Sequence, residues 1–141
     1  MLNTITNIWT ARILVIVGFL AGYGSVGSTF EHIGDDRFLP THVWYHFFRE
    51  GIGDVATMAA ILVMLFAAPR LSTPMTWWLI FILMFGFYGP FWIGMPFMAE
   101  LAAPSMNAEI VHLTMAVPAF LGWALAYRHF TGRTQLATEF G

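Results

Sequence analysis

The chain has no cysteine and no lysine among its 141 residues, and only 10% of them are charged. The missing thiols exclude disulfides, thiolate nucleophiles and sulfur-ligated metals. Without lysine, all permanent positive charge rests on six arginines, scattered too widely to form a patch that would grip nucleic acid. Soluble domains carry about 25% charged residues, so the scarcity of charge argues against an ordinary globular fold. What fills the space is apolar: 58% of the residues are hydrophobic and 17% aromatic, gathered in runs broken by prolines and glycines.

Four such runs cover about residues 8–27, 43–68, 75–98 and 108–128. A membrane-crossing helix needs about 20 apolar residues, and each run reaches or approaches that length. The prediction is one all-α domain over residues 1–141, an integral membrane four-helix transmembrane bundle. No room remains for a separate catalytic domain, so any chemistry belongs in the bundle or at its rim. Near the N-terminus, Gly24-Ser25-Val26-Gly27-Ser28 imitates a signal-peptide cleavage site, but Arg12 alone makes a weakly basic flank. Gly18 and Gly22 form a G-x-x-x-G pair, which suits a retained, packed helix.

The breakers between runs carry capping chemistry. Thr41 is placed to cap the second helix, Ser72-Thr73-Pro74 reads as a cap followed by proline at the first helical position, and Ser105 to Glu109 supplies polar groups for the last helix. Two helices should be distorted: the third by Gly86, Gly89, Pro90, Gly94 and Pro96, the fourth by Pro118. Such bends serve packing or widen a cavity. With four spans, Arg12, Arg70, Arg128 and Arg133 fall on one side and Arg37 on the other, which puts both termini in the cytoplasm.

That topology gathers Glu31, His32, His42, His46, Glu50, Glu100, Glu109 and His112 into one outer layer. A charge within hydrocarbon costs roughly 2.5–3.5 kcal/mol on insertion scales, so these residues should face the bundle interior or a watery cavity. His42, His46, Glu50 and Asp54 are four apart and form a helix stripe that drifts about 40° per step. A stripe of this kind serves either a site or a buried hydrogen-bond network that fixes packing. Glu109 and His112, three apart, are neighbours on the last helix. Their Glu-x-x-His spacing occurs in bundle di-iron sites, which need two copies, and there is one here.

Several chemistries stay open at this layer. His46, Glu50, Glu109 and His112 are the candidates for proton transfer, because burial raises a carboxyl pKa and lowers that of an imidazole. His42, Arg49, Asp54, Trp44, Tyr88 and Trp92 are candidates for holding a ligand. No cofactor is specified, but His42, His46, His112 and Glu50 form a conceivable set for zinc, iron or copper, and His46 with His112 for a haem. Trp44, Tyr45, Trp77, Trp78, Tyr88, Trp92 and Trp123 form interfacial belts or, in part, wall an apolar pocket.

The stretch His46-Phe47-Phe48-Arg49-Glu50-Gly51 resembles the His-x-x-x-Glu-Gly stretch of the emopamil-binding (EXPERA) family, small membrane bundles that include sterol isomerases. The resemblance implies a lipid pocket in which His46 and Glu50 handle protons or a cationic intermediate. His32 followed by Pro40-Thr41-His42 and His46 also resembles a pattern in uncharacterised four-span proteins, which implies the fold alone. The expected function is binding or isomerase-like acid–base processing of an apolar, lipid-like ligand, with membrane lipids as surroundings. An accessory subunit of a membrane complex or homo-oligomer, and a metal or redox protein, are the alternatives.

Overall fold

A computed structural model describes residues 7–38, 40, 42–67 and 69–132, and the side chains of Ser25, Pro69, Phe91 and Glu100 are not among the described ones. The expected cap Thr41 and the terminal Arg133 lie outside the described residues. Among the described residues the α-helices are α1 Ile8–Glu31, α2 His42–Phe66, α3 Pro74–Tyr88, α4 Pro90–Gly94 and α5 Met106–Leu125. Single 3-10 turns at Pro69–Leu71 and Ala99–Leu101 connect them, and helix resumes over 127–132 beyond Ala126. The all-α class holds, with no strand among the described residues.

Helix starts follow the capping groups in the sequence. Asn7 accepts from the Trp9 amide, Thr73 from Thr76 with Pro74 behind it, and Ser105 from Ala108. Each satisfies one of the amides that an α-helix leaves unpaired at its first turn. The long helices pack in a ring, α1 on α2, α2 on α3, α3 on α5, and α5 back on α1. The last contact is the most extensive.

Small residues explain the α1–α5 seam. A Cβ on Gly18 would stand 2.6 Å from the Met115 carbonyl oxygen, and one on Gly122 would stand 2.6 Å from that of Ala11. The glycine spacing in α1 is therefore used within this chain. Ala11, Val15 and Phe19 meet Met115, Ala116 and Ala119 there, and Ile61, Leu65, Ile80, Met84 and Phe130 complete the core. Large apolar side chains also cover the outside, among them Leu20, Val63, Ile82 and Val117. Apolar residues all round a helix mark a buried or membrane segment.

Two helical stretches, Ile8–Glu31 and Met106–Gly132, are each long and apolar enough to cross a membrane. The expected third span, 75–98, is not one helix. It stops at Tyr88 after 15 residues, about 22 Å at 1.5 Å per residue, and restarts at Pro90. The reason is local: Pro90 has no amide to continue the hydrogen-bond ladder. Pro118, by contrast, lies inside α5 without ending it.

Candidate functional site

The helix break builds the site. Beyond Gly89 the Trp92 amide donates to the Gly89 carbonyl, 3.0 Å away, rather than to Tyr88 one residue earlier. The Tyr88 carbonyl, at the end of α3, is taken by α5. His112 Nε2–H donates to it across 2.6 Å, and the imidazole is only 6% exposed. A carbonyl can only accept, so Nε2 carries the proton and Nδ1 is the basic atom of the neutral ring.

Beside this link lies a cavity of about 350 Å³ to which all five helices contribute: Thr29 from α1, Glu50 and Asp54 from α2, Gly86, Phe87 and Tyr88 from α3, Pro90 from α4, and His112 and Met115 from α5. Pockets for small ligands run from about 300 to 1,000 Å³, so this one lies at the small end of that range. Its two carboxylates stand one turn apart on α2. Neither is within ion-pair distance of a basic side chain among the described residues. Arg49, adjacent in sequence, turns the other way, with its guanidinium 5.9 Å from the centre of the Tyr45 ring. Tyr88 is fully buried, and its hydroxyl has no hydrogen-bond partner among the described residues.

The remaining predicted residues divide into two further groups. His46 lies outside the cavity, in a chain of contacts along the start of α2. Arg49 Nη2 donates to His46 Nδ1 at 3.1 Å, and His46 Nε2 is 3.1 Å from His42 Nε2. An arginine never accepts, so a neutral His46 holds its proton on Nε2 and donates it to His42. Glu109 also leaves the cavity: its Oε1 accepts from Trp92 Nε1 at 2.9 Å, while the Trp92 ring packs 5.0 Å from His112. His42, His46, Glu50 and His112 are thus not assembled as one ligand set, and no group of three or more His, Asp or Glu residues is positioned to hold a metal among the described residues. The His46–His112 haem pairing meets the same separation. Trp44 is half-buried with an unpartnered indole N–H.

Sequence reasoning missed Thr29, Met115 and the wall residue Phe87, none of which has a charge to draw attention, whereas Gly86 and Pro90 are among the breakers expected to bend the third run. Two tryptophans make a contact that their spacing does not reveal. Trp77 and Trp123 stack at 4.1 Å, and each indole N–H donates to the other residue's carbonyl, at 2.9 and 3.0 Å. They clasp α3 to α5. In the first connection, the Arg37 guanidinium bonds Asp35 and holds its carboxyl down at about 2.

Comparison with known proteins adds nothing to these observations. No family model, curated protein or solved structure matches this chain.

Proposed function

We propose that this chain is a four-span membrane bundle, with both termini cytoplasmic, that binds the polar end of an apolar, lipid-like ligand and moves a proton on it. The observation that carries the reading is the shared cavity of Glu50, Asp54, Tyr88 and His112. Apolar side chains round the outside of the bundle support the membrane setting, as do the two helical stretches of spanning length. In that setting α3 with α4 forms the third crossing, bent at Gly89, and α2 forms the second with its carboxylates turned to the cavity.

The chemistry of the lining suits an isomerase-like step. One α2 carboxylate removes a proton from the ligand and its protonated neighbour returns one at another atom, with His112 Nδ1 as an acceptor beside them, so no co-reactant is consumed. A cavity that holds two carboxylates and an imidazole favours such transfers because proton donor and acceptor stand within reach of one bound group. Relative to the EXPERA resemblance, the acid–base set moves from His46 with Glu50 to Glu50 with Asp54 and His112. The accessory-subunit alternative loses its main sequence argument, since Gly18 and Gly22 serve the α1–α5 seam.

The test uses a diazirine-bearing sterol as photoaffinity probe on the detergent-solubilised chain. Gly86 lines the cavity and a Cβ there meets nothing within 4 Å, so Gly86→Leu fills the space without disturbing the fold. The expected result is labelling of peptides from α2, α3 and α5 in the wild type, lost in Gly86→Leu and reduced in Glu50→Gln. Labelling that persists unchanged in both variants, each still helical by circular dichroism, would reject the reading.

A further inference from the structure

The geometry points to a second site on this chain, independent of the cavity: a two-histidine chelate for a borderline transition-metal dication, Cu²⁺ or Zn²⁺, formed by His42 and His46 at the start of α2. Imidazoles four apart on a helix stack on one face. Here their Nε2 atoms approach to 3.1 Å, with ring centres 4.5 Å apart. A metal–imidazole bond is about 2.0–2.1 Å, so two such bonds to atoms 3.1 Å apart subtend about 95–102° at the metal. That lies between square and tetrahedral geometry, within reach of either ion. His42 is exposed and His46 half-buried, so the ion can arrive from solvent and keep water or an external ligand at its remaining positions.

Arg49 sets the resting state of this pair. Its guanidinium donates to His46 Nδ1, which keeps the His46 proton on Nε2, the atom the metal needs. Binding requires the proton to move to Nδ1, where it faces a donor instead of an acceptor. Metal-bound imidazoles ordinarily hand that N–H to a carboxylate, carbonyl or water. Arg49 must therefore swing away, which its exposed position permits, and its positive charge also opposes the incoming cation. The arginine acts as a competitor for the site rather than a member of it, and this distinguishes a real chelate from adsorption of metal to a surface histidine.

The experiment is calorimetric titration of the whole chain in detergent, purified through a tag without histidine, with Cu²⁺ and Zn²⁺ and with Mg²⁺ as a hard-ion control. One Cu²⁺ binds per chain, more tightly than Zn²⁺, and Mg²⁺ gives no heat, following the order for nitrogen donors. His42→Ala and His46→Ala each weaken binding by about tenfold or more, as expected when a chelate is cut to a single ligand. His129→Ala, at the other end of the bundle beside Ser72, leaves it unchanged. Arg49→Gln tightens binding several-fold. Equal losses in His42→Ala and His129→Ala would overturn the assignment, as would weaker binding in Arg49→Gln.

Discussion

The two ends of the bundle spend their polar groups in opposite ways. At the end where α3 begins and α5 finishes, polar atoms are consumed by packing. Trp77 and Trp123 exchange indole hydrogen bonds, Arg12 Nε donates to the Leu65 carbonyl at 2.9 Å beneath the rings of Trp9 and Phe66, and Ser72 meets His129 at 3.0 Å. At the other end, Glu50 and Asp54 face a cavity without a counter-ion among the described residues, and the Tyr88 hydroxyl is buried without a partner. Buried polar groups are nearly always satisfied, and each one left unmade costs about 1–3 kcal/mol. Polar atoms at the first end are spent on packing, whereas the buried Tyr88 hydroxyl and Trp44 indole N–H at the other are without a partner among the described residues.

If that contrast holds, matched substitutions at the two ends should behave differently. The largest loss is expected from Trp77→Ala, about 3–5 kcal/mol in a denaturant titration of the detergent-solubilised chain, because the ring stack, the buried indole and its hydrogen bond to the Trp123 carbonyl go together. Gly18→Val should cost about 1–3 kcal/mol by forcing the α1–α5 seam apart. Trp77→Phe keeps the ring stack but removes the indole bond to the Trp123 carbonyl, which retains the Ala126 amide, at about 0.5–1.5 kcal/mol, whereas Tyr88→Phe removes a hydroxyl with no bond to lose and should not destabilise the chain. Equal losses in that last pair would erase the distinction between the ends.

The smallest effect is a pH response away from both. Asp35 sits in the first connection with its carboxyl lowered to about 2 by Arg37. A carboxyl lowered on folding stabilises above its unfolded value of about 3.9, and that contribution is lost as pH falls from there through about 2. NMR titration of the Asp35 side chain should show the low midpoint in the wild type and a midpoint near about 4 in Arg37→Gln.

Much of the scaffold can be read from sequence because its causes are local. The caps at Thr73 and Ser105 and the break at Gly89–Pro90 each depend on a few neighbouring residues. The site divides differently from its expected form for a reason already contained in helix geometry. A four-residue stripe drifts about 40° per step, so His42 and Asp54 differ by about 120° and cannot face one space. The division falls between His46 and Glu50, and Arg49 goes with the histidines. Likewise Glu109 and His112 are neighbours on α5, yet Trp92 stands between their roles, touching one with its ring and the other with its N–H. The Trp77–Trp123 clasp and the placement of Thr29 in the cavity wall depend on how separate helices meet, which no spacing within one helix encodes.

The absence of cysteine allows the open end to be probed one thiol at a time. Met115 lines the cavity although it is 3% exposed, while Ala119, one turn further along α5, is 0% exposed in solid core. A small water-soluble methanethiosulfonate should modify Met115→Cys in the folded chain and leave Ala119→Cys intact until the protein is denatured. Two inert thiols, or two equally reactive ones, would show that no accessible chamber exists beside Glu50, Asp54 and His112.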